Sequence, residues 1–160
     1  IKQQGSMTMK LELKNIKHTA WASEETHCYQ ASLYVDGKPV ATVSNDGHGG
    51  ADRYYDHPKC VYSGRSAWCD KMQEVHEYFK SLPNTHGMEQ CLEFWCADQV
   101  NDWLSARELK KKLKAGFLFQ FADKVGVFAH KTRPSRAAGI AVVLNDLPFA
   151  DALAIWKETA

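Results

Sequence analysis

The run His27-Cys28-Tyr29-Gln30-Ala31-Ser32-Leu33-Tyr34-Val35-Asp36-Gly37-Lys38-Pro39-Val40-Ala41-Thr42-Val43 decides the fold class. Tyr29, Ala31, Leu33 and Val35 alternate with Cys28, Gln30, Ser32 and Tyr34, and this period of two puts one set on each face of a sheet. Asp36-Gly37 follows at once. Both residue types tolerate the backbone of a tight two-residue turn, so the chain reverses and Val40-Ala41-Thr42-Val43 returns as the next strand.

Toward the N-terminus, Leu11, Leu13 and Ile16 alternate with Lys10, Glu12 and Lys14, with one slip in the period. Met9 to Lys17 therefore reads as a first strand, and the three strands form an antiparallel meander. Ser23-Glu24-Glu25-Thr26 is a polar connection. Gly5-Ser6-Met7 has the look of a cloning scar, so residues 1–8 read as a remnant and start, with Met7 or Met9 as the native initiator. Residues 9–160 are then expected to form a single α+β domain.

Toward the C-terminus, Ala51 to Arg65 is irregular and polar, with Pro58 and Gly64 excluding a long element. Ser66 is placed to cap a helix running to about Leu82, with Trp68, Met72, Val75, Tyr78 and Phe79 at helical spacing. Pro83-Asn84-Thr85-His86-Gly87 breaks it. Met88, Leu92, Trp95, Cys96, Val100, Trp103 and Leu104 predict a longer helix toward Lys114, stopped at Gly116. Phe117–Phe121 and Val125–Ala129 have strand composition around the turn Ala122-Asp123-Lys124. Ile140–Leu144 suits a further strand, and Pro148 opens a closing helix with Phe149, Leu153, Ile155 and Trp156. The expected architecture is an antiparallel N-terminal sheet packed by two central helices, then a C-terminal hairpin and closing helix.

The totals narrow the function. With 44% hydrophobic and 11% aromatic residues, the chain of 160 residues can fold on one core without metal or disulfide staples. A net charge of +1 argues against both a dedicated nucleic-acid binder and an acidic nucleic-acid mimic. Five cysteines, no secretory signal and no apolar run near the membrane-spanning length point to a reduced, intracellular setting and no membrane partner.

The candidate site is Asn45-Asp46-Gly47-His48-Gly49-Gly50. Three glycines in four positions let successive N–H groups face outward, an arrangement that holds a phosphate or carboxylate together with His48 and Arg53. The plain alternative is a corner in which Asn45 and Asp46 make side-chain turns. Tyr54 and Tyr55, with Tyr62 and Trp68, offer rigid aromatic contact area beside it.

Several segments, in order, resemble a family of small uncharacterised proteins encoded by bacteriophages and prophages. They are Glu24-Glu25-Thr26, Tyr29 to Lys38, Asn45 to Gly50, Ser81-Leu82-Pro83 and Leu92-Glu93-Phe94. The likeness covers most of Lys10 to Phe119. It implies a phage or prophage origin and a role in the cytoplasm of a host bacterium, where such proteins often disarm defences. The reading that joins loop and resemblance is a non-catalytic binder of a host protein or an anionic small molecule.

Two other chemistries are on offer. A hydrolase-like enzyme on a phosphorylated or nucleotide substrate would use His48, flanked by Asp46 and Asp52, as base and Tyr54 or Tyr55 as acid. A nucleic-acid accessory role would need Arg107, Lys110, Lys111, Lys112 and Lys114 to converge with Lys131, Arg133 and Arg136, though a lysine-rich last helical turn is commonly just a solvated end. His27, Cys28, His48, His57 and Cys60 lack the spacing of a zinc site, so neither metal nor cofactor is expected. Cys69, Cys91 and Cys96, with Trp95, Trp103 and Trp156, fall on apolar helical faces and should be core.

Overall fold

A computed structural model describes residues 8–135 and 139–159. The proposed remnant at residues 1–6, the candidate start Met7 and the cation Arg136 lie outside the described residues. Among the described residues the architecture is α+β: a four-stranded antiparallel sheet, three α-helices and a second, three-stranded sheet. The chain's internal contacts divide it into two units, Ile1–Val100 and Asn101–Ala160.

In the first unit, β1 (Leu11–His18), β2 (Cys28–Val35), β3 (Lys38–Asp46) and β4 (Arg53–Asp56) pair in chain order. The alternation in β2 is realised: Tyr29, Ala31, Leu33 and Val35 are all buried. Asp36 and Gly37 both take positive φ, 50° and 79°, as the tight turn between β2 and β3 requires. The slip in β1 is a bulge between Lys14 and Lys17, where Asn15 takes a φ of 54°. One extra residue there restores the inward register of the strand's later half.

The segment read as irregular contains β4. Its four residues pair with β3, matching Ser44 to Arg53, Val43 to Tyr54 and Thr42 to Tyr55. A run this short, with Tyr54-Tyr55 adjacent between Arg53 and Asp56, shows too little alternation to register as a strand. It forms because β3 presents an edge to pair with. The glycine loop is thus a hairpin connection, not an exit into a long excursion.

Helix α1 (Arg65–Ser81) buries Met72, Val75 and Phe79, and the indole N–H of Trp68 donates to the Val40 carbonyl at 3.0 Å. Its N-cap is Gly64, without a side-chain cap bond, so Ser66 lies inside the first turn rather than capping it. Helix α2 (Leu92–Ala115) contributes Leu92, Cys96 and Val100 to the buried set. Cys69, expected in the core, is exposed on α1.

In the second unit, β5 (Phe117–Phe121) is the centre of a sheet flanked by β6 (Phe128–His130) and β7 (Ile140–Val143). Strand β6 begins later than its composition suggests. Helix α3 (Phe149–Thr159) follows Pro148, whose carbonyl accepts from Asp151 and Ala152. Leu109, Leu118, Leu144 and Ala152 form the core of this unit, with Leu113, Val127 and Trp156 packed against it. The tryptophans Trp95, Trp103 and Trp156 are half-buried rather than core. No helix among the described residues is long and apolar enough to cross a membrane.

The bulge in β1 carries a clear expectation. Asn15→Gly should leave stability unchanged or slightly higher, whereas Asn15→Val should cost about 1–2 kcal/mol, because a β-branched side chain resists positive φ. Chemical denaturation of the two variants measures this, and equal midpoints would show that the bulge does not hold in solution.

Candidate functional site

Residues 47–52 join β3 to β4, and the chain folds this connection against the segment between β1 and β2. Three successive amides, of Glu24, Glu25 and Thr26, converge on the Gly47 carbonyl at 3.1, 3.0 and 3.3 Å. That segment is stiff in its own right. Ala20–Ala22 form a 3-10 turn, Thr19 N–H donates to the Cys28 carbonyl, and the Ser23 hydroxyl donates to Thr19 O while accepting from Cys28 N–H.

Asn45 holds the two pieces together. Its carbonyl oxygen accepts from the Thr26 hydroxyl at 2.8 Å and from Gly47 N–H at 2.9 Å. Its amide nitrogen donates to Gly50 O at 2.9 Å and to Asp52 Oδ1 at 3.0 Å. A primary amide has two lone pairs and two protons to place, and here all four are used. Asp52 extends the network: its Oδ2 accepts from Tyr29 OH at 2.6 Å, and its N–H donates to Glu93 Oε1 in the first turn of α2.

The outward cradle of amides expected for an anion does not form. Gly47 N–H is spent on Asn45, His48 N–H on Asp46 Oδ1 at 3.3 Å, and Gly49 N–H on the Thr26 hydroxyl at 3.3 Å. The physical reason for the glycines is close approach. Gly47, at φ 86°, is buried, and a Cβ there would overlap the Ala22 carbonyl oxygen; Gly49, at φ 83°, lies against the Glu25 carboxylate. Gly50 faces open space. Carboxylates of Glu24, Glu25, Asp46 and Asp52 gather around the loop, an environment that repels an anion.

The dyad of His48 with Asp46 does not assemble either. His48 Nδ1 instead lies 3.3 Å from Glu24 Oε2, and Asp46 Oδ2 accepts from Arg53 Nη2 at 3.1 Å. Strand alternation separates the two tyrosines. Tyr54 turns inward beside Val43, its ring edge-on to His76 with centroids 6.0 Å apart, and its enclosed hydroxyl has no acceptor among the described residues. Tyr55 is exposed on the same outer face as Arg53. Burial is the main cause that pushes the Tyr29 and Tyr54 hydroxyls and the Cys96 thiol far above their ordinary values, with the negative charge of Asp52 adding to each. None of the three is an acid or nucleophile poised for work near neutral pH.

The remaining candidates scatter. His57 Nδ1 accepts from Lys59 N–H, and its Nε2 lies 3.3 Å from the Ser32 hydroxyl. Among the described residues no three His, Cys, Asp or Glu side chains converge as a metal-ion site. Tyr62 lies under Lys71 Nζ, 5.4 Å from the ring centroid.

One residue that pattern reading passed over stands out. Trp21, in the 3-10 turn beside Gly47, is 89% exposed. Its signal in the sequence was a tryptophan in Ala20-Trp21-Ala22-Ser23, a stretch with no apolar period to bury it. Trp21, the Glu24–His48 pair, the Asp46–Arg53 pair and Tyr55 are thus carried on two segments fastened to each other by main-chain hydrogen bonds. The chain matches no protein-family model, no curated protein and no solved structure.

The glycines should separate by substitution. Gly47→Ala combines positive φ with a backbone overlap and should cost about 2–4 kcal/mol, whereas Gly50→Ala should stay within about 0.5 kcal/mol. Thermal or urea unfolding reads both; equal losses would mean that the loop does not close on Ala22. Asn45→Ala, which strands several buried partners, should cost about 2–4 kcal/mol in the same assay.

Proposed function

We propose that this chain is a non-catalytic binding protein that engages another protein through the knuckle formed by Trp21 and the β3–β4 connection. The carrying observation is Trp21, a large apolar side chain held 89% exposed on a segment whose backbone is pinned at Gly47. A free tryptophan on a rigid support loses little conformational entropy on docking, and tryptophan is enriched among the residues that dominate interface energies. The knuckle's rim is rich in carboxylates: Glu24, Glu25 and Asp46. A partner surface with a shallow apolar socket edged by lysine or arginine complements it.

The resemblance to phage-encoded proteins supports a host bacterial protein as that partner, met in the host cytoplasm. Occupying a host factor's surface needs shape and charge complementarity only, which accords with a loop whose titratable groups are paired with one another rather than arrayed around a reaction centre.

A photocrosslinking residue in place of the exposed Tyr55, with Trp21 retained, should capture a discrete partner from bacterial lysate. Trp21→Ala should lower that capture about thirtyfold or more, the equivalent of about 2 kcal/mol at a binding hot spot. His48→Ala and Arg53→Ala break only exposed pairs, so each should change stability by no more than about 1 kcal/mol. Undiminished capture by Trp21→Ala would refute the reading.

A further inference from the structure

The anion-binding chemistry that the glycine loop lacks is assembled elsewhere, within the second unit. Over Asn101–Ala160 the sequence has ten Lys and Arg against six Asp and Glu, a net of +4, while the first hundred residues have ten against thirteen, a net of −3. In this basic unit a cleft of about 360 Å³ opens among the last turn of α2, strands β5 and β6, and α3. Its floor is apolar, made by Leu118, Val127 and Trp156, and its rim carries Lys112, His130 and Lys131. No acidic side chain lines it.

One residue of each basic cluster of the sequence lines this cleft, Lys112 from one and Lys131 from the other. Lys112 Nζ stands 5.6 Å from the centroid of the Trp156 ring and 3.7 Å from Glu108 Oε1, an exposed pair that leaves ammonium protons to spare. Lys131 has no ion-pair partner among the described residues. His130 is oriented by its neighbour: Nδ1 lies 3.2 Å from the N–H nitrogen, 2.9 Å from the hydroxyl and 3.3 Å from the carbonyl oxygen of Thr132. The indole N–H of Trp156 is enclosed without an acceptor among the described residues.

The geometry points to a binding site for a small amphipathic carboxylate, a compact apolar body ending in one negative charge. The apolar body covers Leu118, Val127 and Trp156, and the carboxylate takes charge-assisted hydrogen bonds from Lys112 and Lys131. The cavity's size is that of small-molecule sites, and its floor offers a polyanion's backbone nothing to bond with. Three of the neighbouring cations are engaged elsewhere. Arg133 makes a two-pronged ion pair with Asp146, Arg107 lies 4.5 Å over Trp103, and Lys110 lies 5.1 Å over Phe149. Two lysines over an apolar floor suit one carboxylate better than a run of phosphates.

Titration calorimetry of the full chain with sodium octanoate tests this, with 1-octanol, inorganic phosphate and a short single-stranded oligonucleotide as comparison probes. Octanoate should bind at one site, and octanol at least about tenfold more weakly, the worth of one good charged contact. The double variant Lys112→Ala/Lys131→Ala should lose about tenfold or more in octanoate affinity. Ala129→Trp, an exposed strand position lining the cleft, should block binding with the circular dichroism spectrum unchanged. An octanoate-induced change in tryptophan fluorescence should vanish in Trp156→Phe and persist in Trp103→Phe. The proposal falls if no saturable octanoate binding occurs up to about 10 mM, weaker than any useful affinity. It falls equally if binding survives both the lysine pair and Ala129→Trp, if octanol binds as well, or if only the phosphate or oligonucleotide binds with dependence on these lysines.

Discussion

The side-chain amide of Asn45 is the interaction on which the first unit's surface depends. Asn45 is buried at the end of β3, where the chain must leave the sheet. An amide in that position is costly unless each of its lone pairs and protons is placed. Placing them requires Thr26 from one loop, Gly47 and Gly50 from another, and the carboxylate of Asp52 at the entry to β4. One residue thereby fixes the β3–β4 connection, the β1–β2 connection and, through Asp52 and Glu93, the start of α2.

That arrangement explains why the amides of a loop so rich in glycine turn inward instead of forming an outward cradle. Its amides close the hairpin, its glycines admit the backbone of Ala22 and the carboxylate of Glu25, and its charged side chains pair across the two segments as Glu24 with His48 and Asp46 with Arg53. What the network leaves unused is the Trp21 ring and the outer face of Tyr55. Rigidity and exposure coincide there because the same hydrogen bonds that order the loop leave Trp21 without a core to enter.

The second unit uses a similar device. Asn145 accepts from Leu118 N–H and donates to the carbonyls of Gly116 and Leu113, tying the end of α2 to β5. Gly116 has to be glycine, since a Cβ there would stand 2.6 Å from the His130 carbonyl oxygen. The helix stop and the approach of β6 are one constraint, and it is this approach that brings Lys131 to the cleft rimmed by Lys112. Charge segregates with the units, acidic in the first and basic in the second, so a cation-edged protein surface and a small carboxylate are complementary to different parts of the chain.

Much of the fold was legible in the sequence because it is written in local periods. The alternation in β2, the Asp36-Gly37 turn, the slip at Asn15, the helical spacing in α1 and α2, the stop at Gly116 and Pro148 at the head of α3 each depend on a few neighbouring residues. The limits of α1 and β6 moved by only a residue or several. What sequence could not show was decided by approach between distant segments. Strand β4 exists because β3 offers it an edge, and Tyr54 and Tyr55 part to opposite faces only once that strand forms. The Asn45–Gly50 loop stands out in the sequence for its glycines, yet whether its amides face out or in depended on where Ala22 to Thr26 come to rest. Residue type and spacing determine which groups a chain can offer; their hydrogen-bond partners are set by tertiary contact, because an unpaired polar group in a folded interior is too costly to leave waiting for a ligand.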